Sequence, residues 1–166
     1  MMSVQREVVD PDQAGCANMA LLAVVMLWIG TLLGVSFLAT PAKFLAPSLT
    51  LPVALDVGRQ TFAVFNKIEW IYIVICALLA AAGPRNRIAV VSVAVAAILT
   101  AVQAAWLLPA LDARVGVLLA GGTPPASPLH HLYIVAETAK LLALGVIAVA
   151  SARRLLAGQR LMPAAA

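Results

Sequence analysis

The sequence predicts an all-α polytopic membrane protein: one domain of four transmembrane helices packed as a bundle, with both termini in the cytoplasm. Three observations carry this. Hydrophobic residues make up 63% of the 166 residues and charged ones only 11%, against about 45–50% and about 25% in a typical soluble domain. Four long stretches are almost free of charge, and Lys and Arg collect at the ends of those stretches. A soluble enzyme of this composition would leave apolar surface in water on every side. Intrinsic disorder needs the opposite balance, low hydrophobicity with high charge.

A helix needs roughly 20 apolar residues to cross a hydrocarbon core about 30 Å thick. The first span is expected at about residues 17–40, charge-free and ending at Pro41. Ahead of it, Arg6 is accompanied by Glu7, Asp10 and Asp12, a poor start for a cleaved leader, and the apolar stretch outruns the about 7–15 residues of a leader's core. It is therefore expected to stay as an anchor. The second span is expected at 61–82, stopping at Gly83-Pro84, the third at 88–111 and the fourth at 128–152. Ser127-Pro128 suits an N-cap followed by proline at the first helical position. Each span is apolar nearly all round, unlike the one-sided stripe of a soluble helix.

The connections on one side carry Arg6, Arg85, Arg87, Arg153, Arg154 and Arg160, and those on the other Lys43, Arg59 and Arg114. The positive-inside rule then places both termini in the cytoplasm of a cell whose inner (plasma) membrane the chain crosses. The formal charge of +4 is read as this orientation signal, since no basic run exists to bind nucleic acid. Residues 41–60 are apolar for a loop, and a helix is expected to begin near Pro52, with Asp56 and Arg59 paired at i,i+3. Residues 112–127 are expected to continue a helix to Leu119 and break at Gly121-Gly122. Cys16 and Cys76 lack metal-ligand spacing and read as small hydrophobes.

Charge within a span costs at least about 2.5–3.5 kcal/mol at mid-bilayer, so the polar residues there are the candidate site. They are Asn66, Lys67 and Glu69 on the second span, Gln103 on the third, and Glu137 and Lys140 on the fourth. At 1.5 Å per residue, Glu69 and Gln103 lie roughly 12 Å from the same side of the bilayer, and Lys140 slightly deeper. His130, Tyr133, Glu137 and Lys140 share one face of the fourth helix. Lys67 lies about 200° from Glu69 around its helix, so Glu69 is expected inward, paired with Lys140, and Lys67 outward. With two Lys and two Glu the cluster is balanced in charge, which favours packing glue between helices. Exchanging Glu69 and Lys140 together is then expected to be tolerated and exchanging either alone to destabilise.

His130 and His131 form the candidate outer-interface pair with Tyr133. Neighbouring helix positions diverge by about 100°, so the pair cannot supply both axial ligands of one haem, and no other His exists. No cofactor or metal is expected from these residues; a haem held by one axial His, or between two copies, is the residual alternative.

The run Phe37-Leu38-Ala39-Thr40-Pro41-Ala42-Lys43-Phe44, with Ala54 and Phe62 after it, resembles the transmembrane-protein-205-like family of small four-helix membrane proteins and their bacterial relatives. Trp106, Pro109 and Arg114 fit the same resemblance, as does Leu129-His130-His131-Leu132-Tyr133-Ile134-Val135-Ala136-Glu137 with Lys140 beyond it. The resemblance implies the fold and no activity, since the family carries none that is established.

Three functions stand as expectations. The first is a structural or accessory membrane component with a buried polar cluster. The second is a small-solute, ion or proton pathway using Glu69, Glu137 and Lys140. The third is a haem-bearing redox subunit. The reading leans away from an enzyme, with the lipid bilayer as partner and a second copy or another membrane subunit as the possible protein partner.

Overall fold

A computed structural model describes residues 11–83 and 86–160 of the chain. The leader reading and the charges of Arg6 and Arg85 lie outside the described residues. Helices run over Pro11–Leu32 (α1), Thr40–Ala42 (α2), Leu51–Ala82 (α3), Arg87–Val102 (α4), Leu108–Leu119 (α5) and Leu129–Arg160 (α6). Two π-helical segments, Leu33–Ala39 and Gln103–Leu107, join α1 to α2 and α4 to α5. No strand occurs among the described residues.

Four helical stretches are long and apolar enough to cross a membrane: Gly15–Leu45, Leu51–Ala82, Arg87–Leu119 and Leu129–Gly158. All four outrun the apolar windows read from the sequence, and the reasons are local. Pro41 does not end the first stretch, because it falls within the short α2, and helical backbone continues as a 3-10 turn over Lys43–Leu45. A proline ring in a helix collides with the carbonyl four residues earlier. For Pro41 that carbonyl belongs to Phe37 and for Pro109 to Ala105, and both lie inside the π segments. The widened π turn takes up this conflict, so each helix continues through its proline.

The second stretch begins at Leu51, matching the helix start expected near Pro52 and reaching back beyond the span start at 61; Pro52 lies in its first turn, where a missing N–H costs nothing. Asp56 and Arg59 pair one turn along at 2.5 Å. Arg59 also reaches Asp112 of α5 at 3.1 Å, tying the two long connections together. The Asn86 side chain caps α4 by accepting from the Ala89 N–H at 3.2 Å. α5 ends in a Schellman motif. Gly121 takes φ 79°, its N–H donates to the Leu118 carbonyl, and the Gly122 N–H donates to that of Val117. The Ser127 hydroxyl accepts from the Leu129 N–H at the start of α6.

The four stretches close a ring, α1 against α3, α3 against α4, α4 against α6, and α6 back against α1. Toward the end where α3 gives way to α4, the interior is apolar and tightly filled by Leu21, Val25, Ile73, Val93, Leu144 and Ile147. Toward the end carrying the two long connections, only a small cluster of Leu107, Tyr133 and Ala136 fills it. Outward faces carry Leu27, Ile71, Val91 and Leu142, all exposed, as a chain solvated by lipid tails requires.

Candidate functional site

Between the apolar core and the looser end lies a chain of polar contacts to which every spanning stretch contributes. The Lys140 ammonium on α6 donates to Glu69 Oε1 on α3 at 2.5 Å. The same Nζ lies 2.8 Å from Glu137 Oε1, one turn earlier on α6. Gln103 Nε2 donates to Glu137 Oε1 at 2.8 Å, and the Ser36 hydroxyl donates to Glu137 Oε2 at 2.9 Å. On the first stretch, the Trp28 indole N–H donates to Glu69 Oε1 at 3.3 Å. Trp28 stacks on Tyr72, with ring centroids 5.6 Å apart, and the Phe65 ring lies 5.9 Å from the Lys140 ammonium.

Glu69 and Lys140 are 0% exposed and Glu137 is 1% exposed. They are the buried charged groups among the described residues, so two carboxylates share one ammonium. That removes the charge balance expected from the sequence. Lys67, counted there as the second base, is exposed and makes no ion pair among the described residues. Several buried polar atoms are also left without a hydrogen-bond partner: Glu69 Oε2, Gln103 Oε1 and Thr100 Oγ1. Such orphans are costly where water cannot reach, and an ionised carboxylate can only accept. The network therefore has spare capacity for a donor, as a proton on a carboxylate would supply.

Two of the donors onto Glu137 come from the π segments, Ser36 from Leu33–Ala39 and Gln103 from Gln103–Leu107. A π turn inserts a residue and rotates the helix beyond it, and such turns concentrate at functional sites.

Above the network, toward the long connections, opens a cavity of about 970 Å³. Ser36, Asn66 and Glu137 are the polar groups it shares with the network level, Phe37, Phe62, Leu108 and Ile134 are among its apolar walls, and Lys43, Arg59, Lys67, Arg114 and His130 bring positive or titratable groups to it. Glu137 is thus both a network member and a cavity residue.

The structure brings Glu69, Gln103, Glu137 and Lys140 into direct contact. Asn66 sits one turn from Glu69, donating to the Thr100 carbonyl at 3.4 Å. Tyr133 is buried against Phe62, centroids 4.9 Å apart, with its hydroxyl beside the Glu137 carboxylate but making no hydrogen bond of good geometry. His130 and His131 are both exposed, with ring centroids 6.3 Å apart and planes at 69°, so they do not flank a common iron. Trp28, Ser36 and Thr100 join the site without being expected from the sequence. The first two are rare polar-capable residues in a charge-free span, which is the only signal they give. The π turns have no signal beyond the two prolines.

A family model for a domain of unknown function, DUF4149, matches residues 23–114. The chain belongs to the DUF4149 family. The matched DUF4149 segment takes in Trp28, Ser36, Glu69 and Gln103, and ends before Glu137 and Lys140. No curated protein and no solved structure matches the chain. The match to DUF4149 carries no assigned activity.

Proposed function

We propose that this DUF4149 protein is a proton-linked pathway of the inner (plasma) membrane, entered from the side of the two long connections, with the Glu69–Glu137 carboxylate pair taking up the proton and Glu137 its cavity-facing member. Within the family we read it as the transmembrane-protein-205-like kind, a single membrane domain working as a four-helix bundle. The Lys/Arg excess of Arg87, Arg153, Arg154 and the chain ends supports cytoplasmic termini, so the cavity faces outward.

One observation carries the proposal: Glu137 lines the cavity and shares the Lys140 ammonium with a second, deeper carboxylate. Buried ionisable groups in a membrane mark transport and proton-relay sites by default. A proton arriving through the cavity and held by the two-carboxylate pair leaves Lys140 with one ionised partner, so one ion pair replaces an over-acidic triad. Below Glu69 the apolar core closes the way, which makes access one-sided in this conformation.

A second reading is favoured by a specific feature, the contribution of all four stretches to one network. In that reading the network is packing glue in a structural or accessory protein, with lipid and a second copy or another subunit as partners. A haem-bearing redox role has least support, because the His pair does not fit a bis-His site within one chain.

The test is infrared difference spectroscopy on the protein in liposomes, with proton flux read by an internal pH dye. Acidification is expected to raise a protonated-carboxyl band that Glu137→Gln removes, and that variant is expected to lose flux above protein-free liposomes while keeping its melting temperature. A band that survives Glu137→Gln, or wild-type flux no faster than empty liposomes, would overturn the pathway and leave the glue.

A further inference from the structure

We infer that the cavity is a binding site for an anionic amphiphile, a long apolar tail bearing a carboxylate or phosphate head. This names the substrate class of the pathway proposed above and rests on reading that cavity as its vestibule.

The argument begins with charge. Four basic side chains line the cavity, Lys43, Arg59, Lys67 and Arg114, against the acids Asp112 and Glu137. Arg59 is held by Asp56 and Asp112 at 2.5 and 3.1 Å, and Glu137 is engaged by Lys140. Among the described residues, Lys43, Lys67 and Arg114 are left with no acidic partner. Unpaired cations beside a low-dielectric wall attract an anion far more strongly than cations in open water.

Shape and wall chemistry supply the other half. The cavity, about 970 Å³, lies at the upper end of the range of about 300–1,000 Å³ typical of small-molecule sites. Most of its lining is apolar, including Phe37, Phe44, Leu55, Phe62, Leu108 and Ile134. A small hydrophilic anion would leave those walls wet, while an uncharged tail would leave the cations unused. An amphiphile uses both.

Gly58 contributes the fit between them. It is buried on α3, and a Cβ there would collide with the Lys43 ammonium. The absent side chain is what lets Lys43 lay its charge against the cavity wall. Lys43 and Arg114 are assigned to the head group, and the phenyl and leucyl walls to the tail.

The test uses full-length protein in neutral detergent with spin-labelled stearate as the probe, its immobilisation read by electron paramagnetic resonance. Stearate is expected to bind at least tenfold more tightly than an equally long labelled alcohol or amine. Lys43→Gln combined with Arg114→Gln is expected to weaken stearate at least tenfold with the melting temperature unchanged. Dioleoyl phosphatidic acid is expected to displace the probe if the natural ligand is a bilayer lipid, and only single-chain acids to do so if it is a free amphiphile; either supports the inference. Equal binding of the alcohol, retention by the double variant, or displacement by inorganic phosphate alone would each overturn it. Stearate binding without an acid-induced carboxyl band sinks the pathway and spares this site. Protonation without stearate binding does the reverse.

Discussion

Ser36 and Gln103 stand on different spanning helices, each inside a π-helical turn, and both donate to the one carboxylate of Glu137. Each extra residue in a π turn shifts the next turn of side chains around the helix by about 100°. The two turns thus decide which side chains meet Glu137, and a proline four residues beyond Phe37 and Ala105 marks each of them.

Inserting an alanine next to Ala105 adds a residue beyond the one the second π turn already absorbs and should carry the residues on one side of it about 100° away. The expected result is loss of the Gln103–Glu137 bond, with destabilisation larger than that of Gln103→Leu. The point substitution removes one donor to a buried charged acceptor, worth about 1–3 kcal/mol. Thermal unfolding of both variants in detergent checks the order; equal effects would mean the π turn does not set the register.

Because Lys140 serves two carboxylates, the tolerance of substitutions at the network should be lopsided. Lys140→Met leaves Glu69 and Glu137 buried together with no ammonium and is expected to cost about 3–5 kcal/mol. Glu69→Gln leaves a one-to-one Lys140–Glu137 pair and keeps an acceptor for Trp28, so about 0.5–1.5 kcal/mol is expected. The pair of changes together should remain clearly destabilised, because Glu137 is then unpaired. Only with Glu137→Gln added should stability return toward wild type. Urea or thermal unfolding of the four variants measures this.

The symmetrical expectation drawn from the cluster's charge balance, that Glu69 and Lys140 can be replaced together without loss, is replaced by this lopsided one because of a single side chain. Counting Lys67 with the cluster balances the charges, and in the fold Lys67 faces away from the network. Helical phase is enough to bring Glu69 to Lys140 and Glu137 to the same level, since those relations come from 100° per residue. The parts that are not legible depend on broken periodicity. Extra residues in π turns shift phase without changing composition, so Ser36 and Trp28 on the first helix cannot be aimed at Glu137 and Glu69 from the sequence. The start of α3 at Leu51 is legible, because Pro52 suits a first helical turn and Asp56 and Arg59 pair one turn on.

Orientation can be read with thiol chemistry. Cys16 is exposed and Cys76 is buried. In intact cells a membrane-impermeant maleimide is expected to label Ser127→Cys in the connection before α6, and to reach Cys16 only after permeabilisation. Cys76 should stay unlabelled until the protein unfolds. Labelling of Cys16 in intact cells would reverse the assigned sidedness.

Gly58→Ala separates folding from binding. Alanine is about 0.8–1.0 kcal/mol better than glycine within a helix, and the atom it meets is the movable end of Lys43. Melting temperature is therefore expected to hold or rise, while spin-labelled stearate binds several-fold more weakly. Unaltered stearate binding would show that Lys43 does not act from the position Gly58 allows.

The packing of Leu21, Val25, Ile73, Leu144 and Ile147 beneath Glu69 makes the open space above it a cul-de-sac. In the proposed pathway, whatever enters from the connection side would halt at the acidic pair until α1, α3, α4 and α6 slide apart at the far end. Rearrangement of packed helices belongs to the microsecond-to-millisecond range or slower. Throughput of that pathway would be governed by how often the bolt is drawn, and bulkier side chains in it should slow proton flux without weakening stearate binding.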